Sequence, residues 1–220
     1  MNFKLVTTAA LLLLAAPAFS STAFGQAPPP AEEKGLPMLA LANVPAKGGA
    51  KLTVTTPAFK SGGDIPFENT QYQGNKFPGL SWTSGPKATQ SYAIIMQDTD
   101  GIRNNMPILH WTMWNIKGNK LDAGMTTPPD GSAYGPNIRG PGQAYMGPRT
   151  PAGPKHRYHI QVFALDRTVD ASKSYDELLA AMKDHVLASG EVIGLGQVDP
   201  SAPPPAPRTA APPAPAPASN

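Results

Sequence analysis

Two groups of polar side chains stand where the chain changes character. In Gly147–Ala164, GPRTPAGPKHRYHIQVFA, a loop gives way to a strand. Pro148, Pro151 and Pro154 lack an N–H, so the first half cannot be helical, and from His156 the sequence alternates. His156, Tyr158, Ile160 and Val162 fall on one face, and Arg157, His159, Gln161 and Phe163 on the other. An imidazole and a phenol therefore stand side by side at the junction, which reads as the mouth of a binding pocket. The second group closes Tyr92–Asp100, YAIIMQDTD, where Asp98 and Asp100 share a face after an apolar run. Aspartates at a strand end commonly organise turns, and a histidine or tyrosine on an apolar face commonly packs in a core. Residue type and spacing alone leave a structural and a functional role open for each.

Several chemistries are excluded or disfavoured. The chain has no cysteine, which rules out disulfides, thiolate nucleophiles and cysteine metal sites. It carries no HExxH, no histidine pair at metal-ligand spacing and no nucleophile elbow. The formal charge is +3, and the lysines and arginines are scattered, so no nucleic-acid face is indicated.

The elements that must position these residues are mostly strands. Leu52–Thr55 alternates, Phe77–Trp82 is extended, and Ser61–Asp64 and Ser84–Pro86 are turn clusters. Tyr92–Gln97 is almost continuously apolar and so is expected to be a central strand; Leu109–Ile116 and His156–Leu165 are expected to be two more. Trp111 and Trp114 lie on opposite faces of theirs. Gly124–Gly147 contains eight glycines and prolines besides its ends and reads as a long irregular loop. One helix is clear. Ser174-Tyr175-Asp176-Glu177 has capping-box spacing, and an apolar stripe follows at Tyr175, Leu178, Leu179, Met182 and Val186, with Gly190 as the expected terminator. A last short strand is expected over Val192–Leu195. The fold class is therefore mainly β, a β-rich α+β domain built as a sandwich with one late helix.

The ends are biased. Leu5–Ala16 is an apolar run behind Lys4, followed by small residues, the order of a secretory signal peptide over residues 1–25. No second long apolar run follows, so no transmembrane segment is expected in the mature chain, which is expected to be exported, periplasmic or secreted. Residues 26–49 read as a Pro/Gly-rich linker, within which Leu36–Val44 is apolar enough to pack as a helical turn. Residues 50–198 form the expected domain. Residues 199–220 are almost wholly Pro, Ala and Ser, an expected disordered tail with polyproline II character.

Five motifs occur in order: FPGLSWTSGPKATQSYAIIMQDTDG, the His110-Trp111 pair, Gly147-Pro148, His156-Arg157-Tyr158 with FALD, and HVLASGEVIG. Together they resemble the phosphatidylethanolamine-binding protein family, in its bacterial, Raf kinase inhibitor-like branch, over about residues 50–197. The resemblance implies antiparallel sheets with a small pocket near one edge that takes phosphate-like anions and phospholipid head groups, without a cofactor. Carried over by motif, Asp98, His110, His156 and Tyr158 line the pocket, Gly147 and Pro148 form its edge loop and Asp100 organises the rim; Trp111 and Arg149, beside these motifs, are supporting candidates, Arg149 either adding charge to the rim or facing water. Two departures stand out. The family's D-P-D-A-P is Asp98-Thr99-Asp100-Gly101-Ile102 here, so both prolines are absent and a looser rim is expected. Arg149-Thr150 replaces a small residue and a proline.

In that setting His110, His156 and the Tyr158 hydroxyl would donate hydrogen bonds to phosphate oxygens. Asp98 would orient an imidazole or meet a head-group amine, and loop N–H groups near Gly147 would complete the cradle. The expected function is a binding protein for a small anion or phospholipid head group, with modulation of a protein partner. Two readings compete with it: a metal-dependent phosphoester hydrolase built on Asp98, Asp100, His110 and His156, and an interaction protein acting through Pro200–Asn220.

Overall fold

The computed structural model describes residues 32–170 and 172–202, of which those from Glu33 onward belong to one compact unit. Residues 1–25, expected to be a signal peptide, Gln26–Ala31 and the expected tail beyond Ala202 lie outside the described residues. The chain follows α1 (Ala40–Asn43), β1 (Ala50–Lys51), β2 (Val54–Thr55), β3 (Gly63–Asp64), β4 (Leu80–Trp82), β5 (Ser91–Arg103), β6 (Met106–Ile116), β7 (Lys120–Leu121), β8 (Ala133–Tyr134), β9 (His156–Leu165), α2 (Tyr175–Met182) and β10 (Val186–Gly196).

Two open sheets form the sandwich. The larger runs β1-β10-β9-β5-β6-β8, with β3 also on β10; the smaller is β2-β4-β7. Pairing is antiparallel except for the two-residue edges β1 and β3, which run parallel to β10. The period of two along β5 and β9 explains the layering. Ile94, Met96, Ile160 and Val162 face the small sheet and pack with Leu80, Trp82 and Trp111, while Ala93, Ile95, Phe163 and Leu165 face α1 and α2 and pack with Ala40, Leu178 and Met182. Trp111 and Trp114 fall in different layers.

The capping box is present: the Ser174 side chain accepts from Glu177 N, and the Glu177 side chain accepts from the Ser174 backbone. The helix is shorter than the apolar stripe suggested. It ends at Met182, Asp184 takes φ 64°, and Val186 opens an 11-residue strand rather than a last helical turn. Gly190 is not a terminator. It sits mid-strand opposite Val162, where a Cβ would collide with the Leu52 carbonyl. Ten cross-strand pairs with β9 outweigh the local helical pattern.

The described part of the expected linker is also packed. Leu39, Ala40 and Val44 are buried. The first helical N–H groups of α1, at Ala40 and Leu41, donate to Gln97 Oε1 and Gln161 Oε1 at 2.9 Å each, so two sheet glutamines cap the helix. Residues 33–44 thus form a strap across the face of the large sheet opposite the small one.

Candidate functional site

Strand pairing assembles the four expected pocket residues. Asp98 on β5 stands opposite Tyr158 on β9, and β10 continues the row with Gly194 opposite Tyr158 and Gly196 opposite His156. A Cβ at Gly196 would collide with the Tyr158 ring and the Thr150 hydroxyl, so the phenol lies on bare backbone there. From β6, His110 packs edge-on against Tyr158, with ring centroids 5.0 Å apart. Register shifts between Met96 and Gln97, and between Asp98 and Ile102, bend β5 against β6 at this end.

The turn after Asp98 is held by its own carboxylate. Asp98 Oδ1 accepts from Asp100 N (3.0 Å) and Gly101 N (2.8 Å), and Oδ2 accepts from His156 Nδ1 (2.9 Å). Asp100 accepts from Arg157 N (2.7 Å) and Nε (2.8 Å) and pairs with its guanidinium. Burial would raise the Asp100 carboxyl, but the Arg157 hydrogen bonds overcome it and hold it below the usual range. The rim is not loose despite the missing prolines. Thr99 Oγ1 donates to Glu33 Oε1 (2.6 Å), and Thr99 O accepts from Gly35 N (3.2 Å). These bonds restrain the segment as a fixed proline φ would.

The edge loop is tied from another direction. Gly147 N donates to Asn75 Oδ1 (2.7 Å), Gly147 O accepts from Gln71 Nε2 (2.7 Å) and Pro148 O accepts from Gln71 N (2.9 Å). A Cβ at Gly147 would collide with Asn69 O. The Gly147 amide is therefore engaged within the protein, and Pro148 has none, so the expected N–H cradle is not formed by these two residues. Arg149 is exposed and lies over the Tyr72 ring, 5.2 Å from its centroid. Trp111 is fully buried against Phe77 and Tyr145 and supports the site from beneath. Thr150, noted in the sequence only as standing where the family commonly has a proline, shares a 3.0 Å hydrogen bond with the Tyr158 hydroxyl.

The two imidazoles are tuned apart. The hydrogen bond that His156 donates to Asp98 raises the His156 pKa against the opposing effect of burial. Burial, outweighing the Asp98 charge, lowers that of His110. Burial and Asp98 together push the Tyr158 phenol far above its ordinary range. Near neutrality the cluster thus holds a readily protonated His156, a neutral His110 and a neutral phenol. The Met146 carbonyl, 3.0 Å from His110 Nδ1, can only accept, so neutral His110 carries its hydrogen there. Its Nε2 is then an acceptor, not the donor that the sequence suggested.

Solvent reaches the cluster at His156, whose side chain is 17% exposed, against 3% for Asp98. Cavities of ≈ 530 Å³, lined partly by Met106, Ile108 and Ile138, and of ≈ 450 Å³, lined partly by Gln71, Arg139 and Met146, flank this end of the sheet. They touch neighbours of the cluster and not the cluster itself. Among the described residues no three His, Asp or Glu side chains stand in a metal-holding group, and no helix is long and apolar enough to cross a membrane.

The sequence profile described as phosphatidylethanolamine-binding protein matches residues 55–197. A UPF0098 protein of Methanothermobacter thermautotrophicus is 36% identical over 153 residues, covering 66% of this chain and 97% of that protein. A UPF0098 protein of Aquifex aeolicus is 30% identical over 159 residues, covering 69% and 92%. Among solved structures, a phosphatidylethanolamine-binding protein homologue from Chlamydia trachomatis superposes with a TM-score of 0.60 at 26% identity, covering 68% of this chain and 99% of that one. YbcL of E. coli, at 24% identity and a TM-score of 0.60, shares the fold, with 68% and 100% covered. The matched span holds all four converging residues, and the chain belongs to the phosphatidylethanolamine-binding protein family, in its bacterial branch.

Proposed function

We propose that this protein is an exported binding protein that takes a small phosphate-like anion, free or as a phospholipid head group, at His156, without turnover. The observation that carries the proposal is the hydrogen bond between His156 Nδ1 and the buried Asp98 carboxylate. It favours the cationic form of the partly exposed imidazole and leaves Nε2–H as the donor to an incoming phosphate oxygen. Neutral His110 complements this by accepting a P–OH or head-group ammonium hydrogen at Nε2. The Tyr158 phenol is held between the Thr150 hydroxyl and the Asp98 carboxylate, so its hydrogen is engaged within the protein and the ring shapes the site rather than donating to the ligand. Export rests on the composition of residues 1–25 and is tested by N-terminal sequencing of the chain recovered from cells; an intact Met1 terminus in the cytosolic fraction refutes it.

Calorimetric titration of inorganic phosphate and of phosphoethanolamine into the mature chain, repeated with His156→Ala, tests the binding. Weak binding that the substitution abolishes is expected. Equal affinity in both proteins overturns the assignment of the site.

A further inference from the structure

The face of the large sheet opposite His156 carries ionisable groups that the anion site does not use. His159 lies almost fully buried between two carboxylates, with Nδ1 2.8 Å from Glu191 Oε2 on β10 and Nε2 hydrogen-bonded to Glu33 Oε1 on the strap. A carboxylate accepts and does not donate, so both ring nitrogens carry hydrogens only in the imidazolium form. Arg157, two residues earlier on the same face, places one amino group 3.3 Å from Glu33 Oε2 and grips Asp100 with Nε and its other amino group. Glu33 also accepts from the Thr99 hydroxyl, and Gly35 N donates to Thr99 O. A Cβ at Gly35 would stand 2.6 Å from that carbonyl oxygen, so the strap rests on the backbone of the Asp98–Gly101 turn.

The remaining neighbour of His159 across β5 is Gln97, which is neutral and itself receives the Ala40 N–H of α1. The charges around His159 are therefore Glu33 from the strap, Glu191 from β10 and Arg157 from β9, with Asp100 from β5 beyond Arg157.

We propose that Glu33 is a positioning residue for the anion site, and that Glu33, His159 and Arg157 form a proton-dependent latch that holds the strap on Thr99–Asp100 and so keeps Asp98 aimed at His156. Its effect on binding rests on the proposed anion site; the latch itself does not. Burial works against a charge on His159, but the hydrogen bonds and charges of Glu191 and Glu33 overcome it and raise the pKa. A group whose folded pKa is raised contributes fully below the unfolded value, about 6.5, and loses that contribution as pH rises through the folded value. The latch is therefore closed in mild acid and loosens toward alkaline pH, when one ring nitrogen turns a lone pair toward a carboxylate.

The test is amide hydrogen exchange of residues 33–44 in the full mature chain between pH 6 and 9, normalised to intrinsic rates, together with NMR titration of the His159 ring. Strap protection in the wild type is expected to fall by about 10- to 100-fold across the His159 titration, the equilibrium effect of one charge-assisted hydrogen bond. Glu33→Gln is expected to be less protected at pH 6 and nearly flat with pH, and Glu33→Asp to recover part of the protection. His159→Gln, titrated with phosphate, separates the latch from His156: its affinity is expected to be lower than the wild type's at pH 6 and equal to it at pH 9. Strap protection that is flat with pH in the wild type, or equal in Glu33→Gln, overturns the latch. Protection that follows His159 while phosphate binds to neither protein supports the latch and sinks the anion site instead.

Discussion

Replacing Asp98 by Asn tests the coupling on which the anion site depends. The amide keeps one oxygen to accept from Asp100 N and Gly101 N, so the turn retains its acceptor. It loses Oδ2, the acceptor of His156 Nδ1–H. An NH₂ group there favours an imidazole whose Nδ1 is a bare lone pair, which is the neutral ring. The side chains are 17% and 3% exposed, so water screens little of the lost interaction. Removing one charge-assisted hydrogen bond costs about 1.5–3 kcal/mol. For ligand binding the effect runs through protonation. If the His156 pKa returns to its ordinary value of about 6.5, roughly one molecule in eleven is charged at pH 7.5. Apparent affinity for an anion that needs the cation then falls by up to about tenfold. At pH 5.5 the ring is charged in both proteins, and the variant lacks the repulsion of a nearby carboxylate. Its affinity there is expected to equal or exceed that of the wild type. Calorimetry with phosphate at the two pH values, beside NMR titration of the His156 ring, provides the readout. An unchanged His156 titration, or a tenfold loss at both pH values, refutes the coupling.

The stability of the Asp98–His156 pair has a defined sign with pH. Because the folded His156 pKa is raised, its contribution is full below about 6.5 and fades as pH climbs through the folded value. Chemical denaturation should therefore show the gap between wild type and Asp98→Asn narrowing from pH 6 to pH 9; a constant gap contradicts it. Gly196→Ala should drive a methyl group into Tyr158 and Thr150 and lower stability by about 1–3 kcal/mol, with weaker phosphate binding from the displaced phenol; a neutral outcome in urea denaturation argues against the close packing there. Ser174→Ala removes the acceptor for Glu177 N at the start of α2 and should cost about 1 kcal/mol while leaving phosphate affinity unchanged, since α2 packs on the opposite face of the sheet.

Much of the site was legible because β-strand geometry has a period of two. Alternation alone put His156 beside Tyr158, placed Asp98 at the end of an apolar run and turned His159 to the other face, all as observed. Ser174 and Glu177 announced their helix because a capping box is local chemistry. Legibility failed where partners are distant. Gly190 and Val186 look helical in isolation but belong to a strand that ten residues of β9 hold in register. The Pro/Gly-rich run before Ala50 looks like a linker, yet Glu33 meets His159 across 126 positions of sequence. The Gly147 amide looks available for an anion until Asn75 is brought to it.

The sequence by itself determined the faces of β5 and β9, the start of α2 and the family, because each is encoded within a few consecutive residues or in the order of short motifs. Only the tertiary structure decided how far apart the two imidazoles are tuned, which amides are already engaged, and that the strap closes the back of the Asp98 turn. Protonation and hydrogen-bond occupancy depend on burial and on partners from other strands, and those exist only once the chain has folded.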